Sequence, residues 1–70
     1  MPYVNIKVTA GVSVDEKREL VRRVTAALVD VLGKKPEHTH VVIDEVAEQN
    51  WGFAGELTDE WKAKRAAKGD

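Results

Sequence analysis

Polar and apolar residues alternate along Tyr3-Val4-Asn5-Ile6-Lys7-Val8-Thr9, so Val4, Ile6 and Val8 share one face and Tyr3, Asn5 and Lys7 the other. A period of two predicts a strand with one face packed against apolar partners. Ala10-Gly11 interrupts the alternation, and Ser13-Val14-Asp15-Glu16 follows. This spacing is a capping box: the serine hydroxyl takes one exposed amide and the glutamate reaches back to another. From there Leu20, Val21, Val24, Ala27, Leu28, Val31 and Leu32 recur at helical spacing, with Lys17, Arg18, Arg22 and Asp30 off that stripe. Gly33 and then Pro36 predict where this helix stops.

The segment from His38 or Thr39 to Val46 is β-branched and apolar, which predicts a second strand. Strand, helix and strand form a βαβ unit of α/β (α+β) class, with parallel strands and a right-handed crossover. Two strands alone do not make a stable sheet, so their edges are expected to pair with another subunit. Trp51-Gly52-Phe53-Ala54-Gly55-Glu56-Leu57 suits a tight hairpin. Thr58-Asp59-Glu60 then opens a short helix, with acids in the first turn and Lys62, Lys64, Arg65 and Lys68 towards its end. Repeats and linkers are absent. Residues 1–70 are expected to form one domain, with 58–70 a short helical or frayed tail.

Charge and composition narrow the function. The chain has 70 residues, and 11 Lys+Arg against 12 Asp+Glu leave a formal net charge of −1. That argues against nucleic acid and against a polybasic membrane anchor. Without cysteine there is neither a disulfide nor a thiolate zinc site. No apolar run approaches the roughly 20 residues a membrane span needs. Met1-Pro2-Tyr3-Val4-Asn5-Ile6-Lys7 lacks the layout of a signal peptide, so a cytoplasmic location is expected. A domain this short seldom has a core worth more than a few kcal/mol by itself. An oligomer is the ordinary remedy.

Pro2 carries the most chemical content. Removal of Met1 would leave a secondary amine at the head of a strand. The reference α-amino pKa is near 8, and an apolar site with nearby cations lowers it. A neutral amine at pH 7 can take a proton next to a carbonyl. Taken alone, Met1-Pro2 has the simpler reading of a strand start, where proline is tolerated. His38 and His40 would share a face on a strand, with Asp44 in the same parity, and could contact a metal. Two histidines and a distant carboxylate are weak ligands, so no metal and no cofactor are assigned. Trp51 and Trp61 each suit an interface, Trp61 as a tail residue docked on the body of an oligomer.

Taken in order, Pro2 and its strand, Gly11-x-Ser-x-Asp-Glu-Lys17, Val41-Val42-Ile43-Asp44-Glu45-Val46 and Asn50-Trp51-Gly52-Phe53-Ala54-Gly55-Glu56 resemble the 4-oxalocrotonate tautomerase family. The resemblance spans roughly Pro2 to Leu57. It implies a βαβ subunit ending in a hairpin, dimers that form a four-stranded sheet, and a hexamer of three such dimers. It also implies that Pro2 is a general base and then acid, acting on a small enol or keto acid. Trp51 stands at the aromatic position that keeps the family's pocket apolar. The two positions where the best-studied branch has substrate-binding arginines hold Val12 and His40.

Loss of both arginines matters physically, because each charge-assisted bond to a carboxylate is worth roughly 1.5–3 kcal/mol. A smaller or less charged enol than 2-hydroxymuconate is therefore expected, either a 2-hydroxydienoate or an arylpyruvate-like enol. His40, Lys7 and Lys35 are the candidate replacement cations, and Arg65 or a tail lysine could reach a neighbouring site. A hydratase, dehalogenase or decarboxylase of small acids is the alternative enzyme. A non-catalytic oligomeric assembly protein is the other alternative.

Overall fold

The computed structural model describes residues 1–67; Lys68 and the two residues after it lie outside the described residues. The alternating segment is strand β1, Tyr3–Thr9. Helix α1, Val14–Leu32, begins at the expected capping box, with both reciprocal bonds between Ser13 and Glu16 formed. It ends at Gly33, whose φ of 65° is the left-handed conformation that glycine enters without steric cost. Gly33 and Lys34 donate to Val29 and Leu28 carbonyls, closing the last turn.

The second strand is shorter at its start than the β-branched pattern predicts. Pro36–His38 form a single 3-10 turn, and strand β2 is His40–Val46. The Thr39 amide donates to the Pro36 carbonyl and its hydroxyl to the Lys35 carbonyl, 2.9 Å away, which holds the chain in the turn. His38 thus belongs to the turn and His40 to the strand, so the shared strand face expected for the two rings does not exist. Among the described residues no group of three or more His, Asp or Glu side chains gathers to hold a metal ion.

Strands β1 and β2 pair in parallel, with Tyr3 opposite His40, Lys7 opposite Asp44 and Thr9 opposite Val46. Lys17 of α1 reaches Glu45, so the helix crosses the face formed by Val4, Ile6, Val8, Val41 and Ile43. Those five side chains are half-buried. Beyond a second 3-10 turn, Glu48–Asn50, the hairpin forms as expected from strands β3, Gly52–Phe53, and β4, Glu56–Leu57. Its two turn residues, Ala54 and Gly55, both have positive φ, 56° and 77°. This is the primed turn that matches strand twist, and Ala54 bears a steric cost there. Helix α2, Thr58–Ala67, completes the described chain, so the tail is helical that far. Among the described residues no helix is long and apolar enough to cross a membrane.

What this arrangement lacks is an interior. No hydrophobic side chain among the described residues is buried, and Tyr3, Val31 and Leu32 are 64%, 79% and 56% exposed. A compact chain of this length has a radius of gyration of about 11 Å; here it is 16.2 Å, with extents of 48 × 23 × 18 Å. Folding a chain costs entropy that apolar burial must offset. The shape therefore needs surface from other copies. The thermal midpoint is expected to rise with protein concentration, because association stabilises by mass action. Scanning calorimetry over a hundredfold dilution series checks this, and a midpoint independent of concentration would refute it.

Candidate active site

Pro2 stands immediately before β1, and its carbonyl accepts the His40 amide at 3.0 Å. The parallel register therefore sets the Pro2 backbone and the start of β2 side by side, at one end of the sheet. The turn at Pro36–His38 brings Lys35 and His38 to that same end, which strand periodicity could not show. Val12 and Trp51 belong to segments that leave the sheet at its other end, after Thr9 and Val46. A seven-residue strand separates those ends by about 20 Å. One chain thus joins Pro2 to His40 and keeps Val12 and Trp51 apart from them.

Lys7 lies on the uncovered sheet face and is not a free cation. Its Nζ donates to Asp44 Oδ2 at 2.9 Å, and Asn5 Nδ2 donates to the same oxygen at 3.1 Å. The Lys7 ammonium, and then the Asn5 amide, hold the Asp44 carboxyl below its ordinary value. Arg65 is also occupied: its guanidinium carbon lies 4.7 Å from the centre of the Trp61 ring, an attractive arrangement for a cation over an aromatic face. Trp61 docks on its own hairpin, with its ring 5.0 Å from that of Phe53 and inclined at 55°.

Two residues mattered more than their sequence signals suggested. Glu45 Oε2 accepts Lys17 Nζ at 2.5 Å, and its Oε1 accepts the Val12 amide at 3.2 Å. It thereby anchors the loop between β1 and α1. The Lys17 ammonium, followed by the Val12 amide, lowers the Glu45 pKa. A carboxylate in phase with Val41 and Ile43 on the helix-facing side was the available clue. Thr58, only 5% exposed, is the one buried residue among the described residues. Its Oγ1 and its amide both donate to the Trp51 carbonyl, at 2.6 and 2.8 Å. Nothing in the sequence announced that contact.

Two surface depressions lie elsewhere. One of about 460 Å³ is bounded by Gly52, Phe53, Gly55, Glu56, Leu57 and Glu60. The other, about 410 Å³, runs along α1 at Asp15, Glu16, Glu19, Leu20 and Arg23. Neither includes Pro2, His40, Val12 or Trp51. Pro2, Val12 and Trp51 are half-buried and His40 is exposed, at two ends of the subunit.

Comparison with known proteins places this geometry. Residues 2–60 match the Tautomerase family, described as "Tautomerase enzyme". The "Probable tautomerase K2" of Dickeya dadantii (strain 3937) is 51% identical over 61 residues, 86% of this chain and 91% of that protein. The 2-hydroxymuconate tautomerase of Comamonas testosteroni is 36% identical over 55 residues, 79% of this chain and 87% of the relative. A solved heterohexamer 4-oxalocrotonate tautomerase from Chloroflexus aurantiacus J-10-fl has a TM-score of 0.81 at 27% identity, covering 86% of this chain and 97% of that one. The chain belongs to the tautomerase family, in its 4-oxalocrotonate tautomerase group, and carries that group's βαβ fold with a C-terminal hairpin. It is an enzyme of the isomerase kind.

The ion pair at Glu45 predicts a pH effect with a definite sign. A carboxyl whose pKa is lowered in the folded state adds stability above its ordinary value, 4.5 here, and loses it as pH falls through the folded one. Glu45→Gln removes this contribution but leaves those of Asp44 and Glu19, the latter held at about 2 by Arg22 and Arg23. The thermal midpoint should fall less steeply between about pH 5 and 3 in Glu45→Gln than in the parent. Equal slopes in thermal melts across that range would show that Glu45 carries no such linkage.

Proposed function

We propose that this protein is a keto–enol tautomerase that uses the amino-terminal nitrogen of Pro2 as general base and then acid, on a 2-hydroxydienoate or arylpyruvate-like enol. The observation that carries this reading is the 3.0 Å bond from the His40 amide to the Pro2 carbonyl, in a chain of the tautomerase family. It fixes Pro2 at the head of β1, beside the strand that starts with His40. The whole chain acts as one tautomerase unit, in the cytoplasm, and needs no cofactor.

The chemistry requires that Met1 be removed. While Met1 is attached, the Pro2 nitrogen is an amide without usable basicity. As a free secondary amine it takes the hydroxyl proton of the enol as the C=O bond forms. The same nitrogen then returns a proton to the carbon end of the former C=C bond. Atoms and charge balance without a co-reactant.

The split of the site between two sheet ends supports an active site shared among subunits of a homo-oligomer, with Trp51 of one chain covering Pro2 of another. The solved Chloroflexus aurantiacus relative is a heterohexamer, which favours six subunits here, arranged as three dimers. With Val12 and His40 at the two arginine positions, and with Lys7 held by Asp44, Lys35 is the remaining candidate cation at the Pro2 end of the sheet. That favours a monoanionic enol with an apolar body over a dicarboxylate. Val12 adds apolar wall in place of a cation.

Phenylenolpyruvate ketonisation, measured on protein whose intact mass shows loss of Met1, tests the reading. Pro2→Ala should lose most of the turnover while size-exclusion chromatography shows an unchanged assembly. Full turnover in that variant would remove Pro2 from the mechanism, and no turnover by the parent would favour the assembly-protein alternative.

His40 gives a second test. A guanidinium presents a bidentate fork that an imidazole lacks. His40→Arg should therefore lower KM for carboxylated enols, by about tenfold if one charge-assisted bond is added. His40→Ala should raise KM for the same substrates more than for an uncharged enol. If both variants keep the parent's KM values, His40 is a strand residue and the carboxylate is met elsewhere.

A further inference from the structure

The Trp51 backbone is held from both sides. Its amide donates to the Glu48 carbonyl at 3.2 Å, and its carbonyl accepts two donors from Thr58, Oγ1 at 2.6 Å and the amide at 2.8 Å. Both acceptor sites of that carbonyl are thereby used, and the bonds close the base of the hairpin at Gly52 and Leu57. Thr58 is 5% exposed, while no hydrophobic side chain among the described residues is buried, so its hydroxyl sits where water does not compete.

Thr58 is also the first residue of α2. Thr58, Trp61 and Arg65 recur at helical spacing, and Trp61 packs on Phe53 of the hairpin while Arg65 covers Trp61. Two ion pairs flank this stripe: Lys62 Nζ to Glu48 Oε2 at 2.5 Å, and Lys64 Nζ to Glu56 Oε1 at 2.7 Å. They attach α2 to the turn before Trp51 and to the strand after it. Exposed pairs of this kind add little energy singly. Here they restrict where the helix can lie.

We propose that Thr58 is a positioning residue for the reaction: α2 is a clamp that, through the Thr58–Trp51 bonds, fixes the angle at which the Trp51 ring enters the substrate pocket. The inference rests on the reading of Trp51 as a pocket wall. The clamp extends past residue 60, where the match to the family ends, so ring placement is set in part by residues 61–67. An aromatic wall held at one angle favours a planar, conjugated or aryl enol, because such a ligand meets its face without reordering it. A mobile ring would have to be immobilised on binding, at the expense of affinity.

The test uses the full-length chain in a Trp61→Phe background, which keeps an aromatic ring against Phe53 and leaves Trp51 as the sole tryptophan emitter. Thr58→Val removes the hydroxyl donor at nearly constant volume, and Thr58→Ser restores it. Acrylamide quenching of Trp51 and the kinetics of phenylenolpyruvate are measured on both and on the parent. In Thr58→Val quenching should rise, and KM should rise about three- to tenfold, the range one hydrogen bond supports, with kcat within about twofold. Thr58→Ser should recover both values. If Thr58→Val fails to assemble on size-exclusion chromatography, Thr58→Cys, with its much weaker donor, takes its place under the same criteria.

Unchanged quenching, or raised quenching with unchanged KM, overturns the proposal. Trp51→Leu separates it from the reading beneath it. Unchanged KM in Trp51→Leu removes Trp51 from the pocket wall and the proposal with it. Raised KM in Trp51→Leu with the parent's KM in Thr58→Val sinks the clamp alone.

Discussion

A two-stranded parallel sheet crossed by one helix has two unpaired strand edges and one uncovered face, and the rest of this chain is too small to close them. The consequence is visible in every layer of the subunit. The apolar stripe of α1 and the inner faces of β1 and β2 reach only half burial, and Val31 and Leu32 at the helix end remain in solvent. What holds the isolated chain in shape is the ladder, two well-formed helix caps and a set of exposed ion pairs, each worth little in water. The remainder of the folding free energy has to come from association, for which the exposed Tyr3, Val42 and strand edges offer surface.

The same constraint reaches the chemistry. Parallel pairing places Pro2 and the start of β2 at one end of the sheet, while Val12 and Trp51 leave from the other. A reaction that uses all of them must be assembled between chains. Charge follows the same logic. Lys7 is neutralised by Asp44, Lys17 by Glu45, and Arg65 lies over an indole ring. Of the candidate cations, Lys7 is thus taken up in structure, while Lys35 stands beside the Pro36–His38 turn at the Pro2 end of the sheet.

The C-terminal segment shows how a hairpin is held by local contacts when no hydrophobic side chain among the described residues is buried. The one buried residue among the described residues is a threonine, and both its donors converge on one carbonyl. Around it, the Phe53–Trp61–Arg65 stack and the Lys62–Glu48 and Lys64–Glu56 pairs form a local cluster that belongs to the hairpin and not to the sheet. The described residues therefore pack locally as two groups, the βαβ unit and the hairpin with its helix. The path from one to the other runs through Ala47 and the short turn after it.

Local physics made much of this legible from residue order alone. The alternation in Tyr3–Thr9, the capping box at Ser13, the stop at Gly33 and the Trp51–Leu57 hairpin each depend on neighbours within a few positions, and each is found where the pattern predicts it. The order and spacing of these pieces also sufficed to bring out the family. The start of β2 did not follow from residue type, because β-branched Thr39 is held in a turn by the carbonyls of Lys35 and Pro36. Other features needed partners far apart in sequence: Asp44 on Lys7, Glu45 on Lys17 and the Val12 amide, and Thr58 on the Trp51 carbonyl. Sequence periodicity assigns a side chain to a face, but only the register between strands and the packing of helices decide what stands opposite it. That is why the elements and the family could be read from the sequence, while the occupied state of Lys7 and the hold of Thr58 on Trp51 came from the tertiary structure.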